Sequence, residues 1–251
     1  MKSKEKQSDY YDSLRKNEWK DAASIGPSSL SRFRIIIKLM KKHNFGGPIL
    51  DIGCGSGTLL VKIKNAFPGC KLLGSDFSIE SVKQSKEKGF TVFQADLSNV
   101  NTFSQEIRYK SIICSEVLEH ISDDKNAIST LEKLLNHEGM LLITVPYSMK
   151  YWSSHDNFSG HVRRYEFQEL ISKIESNNLK IIDCFIWGGL FYSFYHKILR
   201  NTDPKRIMNT KEKKRTVKII IGRFFYFLFI FDDFFIMLKR GRRIFLVAKK
   251  N

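Results

Sequence analysis

The sequence predicts an α/β fold built on a doubly wound, mostly parallel sheet, and three observations carry that prediction. Short apolar runs bounded by turn residues alternate with helical patterns through most of the chain. The stretch Ile49 to Gly57 (I-L-D-I-G-C-G-S-G) passes from an apolar run into a turn with glycine at every second position, and a helical pattern opens at Thr58. A second run, Lys71 to Ser75, ends in Asp76, nineteen positions after Gly57.

Taken in order, an amphipathic helix is expected from Ser29 to His43, with Leu30, Phe33, Ile36, Ile37 and Met40 at helical spacing. Strands are expected near 48–52, 71–75, 91–95, 111–115 and 140–145, with helices near 58–67, 79–88, 100–108 and 124–136 between them. Leu179 to Trp187 reads as a sixth strand and Arg243 to Lys249 as the closing one. Between these two lies a long connection, about 188–240, where a hairpin-sized link is the norm.

The glycine turn narrows the ligand. A dinucleotide fingerprint would place glycines at 53, 55 and 58, but position 58 is Thr and the third glycine is Gly57. Asp51 at the strand end would repel a pyrophosphate, yet attracts an ammonium or sulfonium group. The pattern resembles the D/E-x-G-x-G-x-G loop of class I S-adenosylmethionine (SAM) methyltransferases.

That resemblance, which covers about residues 45 to 185, implies a Rossmann-like sheet of seven strands in the order 3-2-1-4-5-7-6, with SAM as cofactor. It implies cofactor contacts from Asp51, Gly53, Gly55, Gly57, Asp76, Phe77, Asp96, Leu97 and Ser115. Asp76 would accept both ribose hydroxyls, and Asp96-Leu97 resembles the adenine-contacting turn. It also divides the chain into an N-terminal helical lid (1–44), a SAM-binding core (45–187), a helical insertion (188–240) and the closing strand (241–251).

After the fourth strand comes S-E-V-L-E-H. Glu116, Glu119 and His120 stand at i, i+3 and i+4, so a helix beginning here would put all three on one face, a platform for Mg²⁺ or Mn²⁺. Past the fifth strand, W-S-S-H-D-N-F-S-G-H-V-R-R-Y (152–165) is dense in polar groups at the edge where loops hold substrate. An E-x-x-E-H element followed by a later His resembles ubiquinone-pathway O-methyltransferases of the UbiG type and small-RNA 3′-terminal 2′-O-methyltransferases. The G-H-V-R-R-Y wording resembles bacterial methyltransferases of glycan and lipid modification.

By that likeness the metal ligands would be Glu116, Glu119, His120 and His161, gripping a vicinal diol or catechol, with His155 as an alternative ligand. The catalytic candidates are His161, His155 and Glu116; without a metal, either histidine serves as general base. Arg163, Arg164 and Tyr165 are the candidate substrate contacts, the arginines offering bidentate contacts to a phosphate or carboxylate.

The formal net charge is +16, and the last 56 residues hold 16 Lys or Arg against 4 Asp or Glu. The excess is local, so it marks a surface that meets an anion. It flanks the apolar run Phe224 to Phe231, which is too short, between Arg223 and Asp232, to span a membrane needing about 20 apolar residues. Such a segment suits an anionic membrane surface or a lipid-linked substrate. Nucleic acid fits less well, because isolated stacking aromatics along a groove are missing.

The four cysteines have no C-x-x-C spacing and the N-terminus no apolar h-region, so a reduced, cytoplasmic protein is expected, peripheral at the inner membrane face. The expected function is O-methylation of a glycan-, lipid- or isoprenoid-linked small molecule. An RNA methyltransferase and a non-catalytic membrane adaptor with the SAM fold are the alternatives.

Overall fold

The computed structural model describes residues 12, 26–104, 106–200, 215–234 and 240–251. Most of the first half of the expected N-terminal lid (1–11 and 13–25) and residues 201–214 of the expected insertion lie outside them. The described elements run α1 (Pro27–Lys42), β1 (Ile49–Ile52), α2 (Thr58–Ala66), β2 (Leu72–Asp76), α3 (Ile79–Glu87) and β3 (Thr91–Gln94). They continue with β4 (Tyr109–Ser115), α4 (Asp124–Leu134), β5 (Leu135–Pro146), α5 (Ser154–Ser159) and α6 (Phe167–Glu175). The last are β6 (Leu179–Trp187), α7 (Leu190–Leu199), α8 (Arg215–Phe231) and β7 (Arg243–Lys250).

The strands form one sheet in the order β3-β2-β1-β4-β5-β7-β6, the expected order. β1 to β5 pair in parallel, and β7 runs antiparallel to both β5 and β6. Side chains of successive residues face opposite layers, as the pleat requires. Ile112, Leu141, Ile143 and Leu246 join a core with α4 and α6, whereas Ile113, Leu142, Phe245 and Val247 join one with α1, α2 and α8. Both faces are covered, which is why the strands read as continuous apolar runs.

One expected helix does not form. Among the described residues between β3 and β4 only a 3-10 turn, Val100–Thr102, is present in place of a helix over 100–108. Polar side chains take the backbone groups a helix would use: Asn99 Oδ1 accepts from Asn101 N, and Thr102 Oγ donates to the carbonyls of Asp96 and Asn99.

The insertion contributes α7 and α8, and α8 packs on both α7 and α1. The two acids that end the apolar run fasten it. Asp232 accepts from the amides of Phe191 and Tyr192 at the start of α7, at 3.0 and 2.7 Å. Asp233 takes a bidentate contact from Arg34 of α1 and one from Trp187 Nε1. Phe229 is fully buried, while Ile220, Phe224 and Phe227 of α8 and Phe194 and Ile198 of α7 are exposed. No helix among the described residues is long and apolar enough to cross a membrane.

Candidate functional site

The site is built on the carboxyl ends of β1, β2, β4 and β5. At the end of β1 the chain turns through Gly53, at φ 71°, and enters α2 from Gly57, at φ 74°. A Cβ at Gly53 would lie 2.4 Å from Val117 Cγ2, and one at Gly57 would lie 2.8 Å from Ser85 Oγ. Only glycine suits both the dihedral and the space. The loop is anchored by Gly53 and Cys54 amides donating to Ser75 O, and by Ser85 Oγ donating to Gly55 O.

Asp76 ends β2 facing this loop. Its Oδ2 accepts from Gly55 N at 2.8 Å and its Oδ1 from Ser78 N at 2.9 Å, and each oxygen keeps a further lone pair. Asp12 accepts from Ser78 Oγ beside it. Past β3, Asp96 Oδ1 accepts from Ser98 N and Oγ, while Leu97 is buried. The Phe77 carbonyl accepts from Gln94, and Ser115 Oγ is bonded to Thr144 Oγ.

Asp51 is buried beneath the loop and its Oδ2 has no hydrogen-bond partner. Burial and the neighbouring Asp76 push its carboxyl up to about 8, against the pull of Arg32. A cationic ligand would supply the missing partner, so the orphaned oxygen and the glycine cradle both fit SAM.

A pH dependence follows. The free protein holds the Asp51 proton up to about pH 8, and binding an ammonium group requires its release. Affinity for S-adenosylmethionine should therefore rise from pH 6 to pH 8, by up to about tenfold per unit. Calorimetry across this range checks it, with Asp51→Asn expected to bind weakly and to lose the slope.

The E-x-x-E-H stretch is not one helical face. Glu116 has a left-handed φ of 58°, and a 3-10 turn starts only at Leu118. Glu116 therefore stays outside the group that Glu119 forms with His120 and His161. It takes two bonds from Arg243, at 3.1 and 2.8 Å, one from Thr144, and an ion pair with Arg32 at 3.4 Å. Burial opposes its charge, but these two guanidiniums prevail and bring its pKa down to about 2. It is a structural anion, which separates it from the four-ligand set and from a base role.

The other three expected ligands do converge. One ligand atom each of Glu119, His120 and His161 lie within 4.8 Å of one another. Glu119 is fully buried, and both its carboxylate oxygens lack hydrogen-bond partners. Its pKa is pushed well above the usual carboxylate range, by burial first and then by Glu116. His161 Nδ1 donates to Asp156 Oδ1 at 2.8 Å, and in the neutral ring with the proton on Nδ1 the Nε2 lone pair lies 3.9 Å from Glu119 Oε1. This is the carboxylate–imidazole arrangement that orients metal-binding histidines. A buried acid without partners costs stability, so the trio fits a divalent cation.

The remaining candidates are engaged elsewhere. His155 Nε2 donates to the Leu199 carbonyl at 3.1 Å. Arg164 makes a bidentate pair with Asp156, and Arg163 pairs with Asp124 at 2.8 Å. Tyr165 is fully buried and donates to Asp124. The expected anion-binding pair thus ties the loop down, and Asp156, which no motif marked, links Arg164 to His161.

Comparison with known proteins agrees with this geometry. Residues 50–141 match a family described as a methyltransferase domain. The chain is 26% identical over 147 residues to the ubiquinone biosynthesis O-methyltransferase of Actinobacillus pleuropneumoniae serotype 7, covering 54% of this chain and 62% of that one. It is 23% identical over 197 residues to the (S)-coclaurine N-methyltransferase of Papaver somniferum, covering 70% and 56%. The chain thus spans less than two thirds of either relative.

Among solved structures, magnesium protoporphyrin IX methyltransferase from Synechocystis PCC 6803 with bound S-adenosylhomocysteine superposes with a TM-score of 0.62. Identity is 15%, over 99% of this chain and 100% of that one. Residues 50–141 thus match a methyltransferase-domain family, and the chain's seven-stranded sheet shares the fold of the solved methyltransferase.

Proposed function

We propose that this protein transfers the methyl group of SAM to a hydroxyl oxygen of a small-molecule acceptor placed beside Glu119, His120 and His161. The observation that carries the reading is the fully buried Glu119 carboxylate, unpartnered and in reach of two imidazoles. Glu119, His120 and His161 would hold Mg²⁺ or Mn²⁺, whose charge acidifies an acceptor hydroxyl. Asp156 keeps the His161 proton on Nδ1, so that Nε2 presents a lone pair to the site. Asp51 and Asp76 would fix the amino and ribose groups of the cofactor, and Glu116 holds Arg243 and Arg32 beside the acceptor edge.

The exposed apolar side chains of α7 and α8 support a lipid-linked acceptor met at an anionic membrane surface. Binding to anionic vesicles, with no salt-sensitive binding to RNA, is the expected outcome. The chemistry is tested with catechol, which offers two adjacent hydroxyls, and radiolabelled SAM. Methyl transfer should require Mn²⁺ or Mg²⁺ and stop on chelation. Transfer that survives chelation would leave His161 as a general base instead.

A further inference from the structure

Arg163 and Arg164 are neutralised by Asp124 and Asp156; at the same edge of the sheet Arg243 shares one acid, Glu116, with Arg32, and Arg242 has no ion pair among the described residues. Arg242 and Arg243 stand where the chain enters β7. Arg243 pairs in register with Pro146 at the carboxyl end of β5, and the Tyr147 amide donates to the Arg242 carbonyl at 2.9 Å. The antiparallel last strand thus delivers two cations to the edge where the parallel strands end.

Arg243 is 8% exposed and spends Nε and Nη2 on Glu116. Its Nη1 is buried without a hydrogen-bond partner. Arg32 shares the same carboxylate, so one acid faces two guanidiniums. Arg242 has less. Its guanidinium carbon lies 4.4 Å from the centre of the Tyr151 ring, its Nε is buried and unpartnered, and no ion pair reaches it among the described residues. Lys150 Nζ approaches the same ring at 4.9 Å, and Arg164 and Arg200 add to the positive field around Arg242. His196, half-buried nearby, is held neutral by desolvation and then by Arg243, Arg242 and Arg164.

Buried guanidinium nitrogens without partners, such as Arg242 Nε and Arg243 Nη1, are costly, the more so where one acid serves two arginines and Arg242 has no counter-ion among the described residues. An anion supplied by a ligand would remove that cost and give the guanidiniums the forked geometry they are built to bind. We propose that Arg242 and Arg243, against the Tyr151 ring, hold an anionic group of the methyl acceptor, a carboxylate or a phosphate. The proposal rests on the reading that the acceptor lies at this edge of the sheet. It names Arg242 as a specificity determinant for charged acceptors over neutral ones.

The test is calorimetric titration of the full chain, loaded with S-adenosylhomocysteine, with benzoate, phenyl phosphate and neutral benzamide. At least one anion should bind about tenfold or more tightly than benzamide, as one charge-assisted contact warrants. The tighter of the two identifies the group. Arg242→Met, which keeps an apolar stem over Tyr151, should abolish the preference, and Arg242→Lys should keep part of it. Unchanged S-adenosylhomocysteine affinity in both variants shows that the fold is intact.

Anions that bind no better than benzamide, or a preference that survives in Arg242→Met, would overturn the proposal. Because binding is read without turnover, this result is independent of whether a hydroxyl is methylated.

Discussion

Glu119→Gln should raise the stability of the metal-free protein and abolish its response to Mn²⁺. The wild-type carboxyl is fully buried, has no hydrogen-bond partner, and is held protonated above the usual carboxylate range by burial and by Glu116. Because its folded pKa is raised, the sign is fixed. Below about pH 4 folded and unfolded chains both hold the proton. At higher pH the unfolded chain releases it while the folded chain retains it, so stability falls, by about 1.4 kcal/mol per unit for one such group.

The variant lacks this slope, although the similar one from Asp51 remains. At pH 7 in the presence of a chelator the gain should be about 1–3 kcal/mol, or several degrees in Tm at roughly 2–4 °C per kcal/mol. Mn²⁺ should stabilise the wild type and leave the variant unmoved, and catechol methylation should be lost. A variant that is destabilised, or that still responds to Mn²⁺, would remove Glu119 from the site.

Asp76→Ala should weaken cofactor binding by about 100-fold or more, the loss of two hydrogen bonds to a charged acceptor. The carboxylate already holds the Gly55 and Ser78 amides, and its remaining lone pairs would accept the ribose hydroxyls of a bound cofactor. Removing it leaves both amides unpaired, so a stability loss of about 1–3 kcal/mol accompanies the change. Calorimetry with S-adenosylhomocysteine and thermal unfolding separate the two effects. Weakened binding with unchanged stability would mean that these amides find other acceptors.

The sheet and cofactor loop were legible because local signals decide them. Apolar runs of strand length, Gly53 and Gly57 at their positive dihedrals, and an acid closing β2 are each readable within a few residues. The acceptor side was less legible because long-range partners decide it. Spacing put Glu116 on a face with Glu119, but Arg243 and Arg32, far away in sequence, claim it, and its backbone turns left-handed before the 3-10 turn.

Arg163 and Arg164 read as free for substrate until Asp124 and Asp156 are placed beside them. Arg242 and Arg243 read as one flank of an apolar segment, whereas the antiparallel pairing of β7 with β5 brings them to the site. The missing helix at 100–108 has a local cause: the side chains of Asn99 and Thr102 bond nearby backbone groups, turn chemistry that the βα alternation alone does not reveal.

The central claim, that this chain binds SAM in the Gly53–Gly57 cradle between Asp51 and Asp76, is tested most directly by titrating S-adenosylhomocysteine into the purified protein. Micromolar binding at one site per chain, lost in Asp76→Ala, is the predicted result. No binding by the folded wild-type protein would contradict the account.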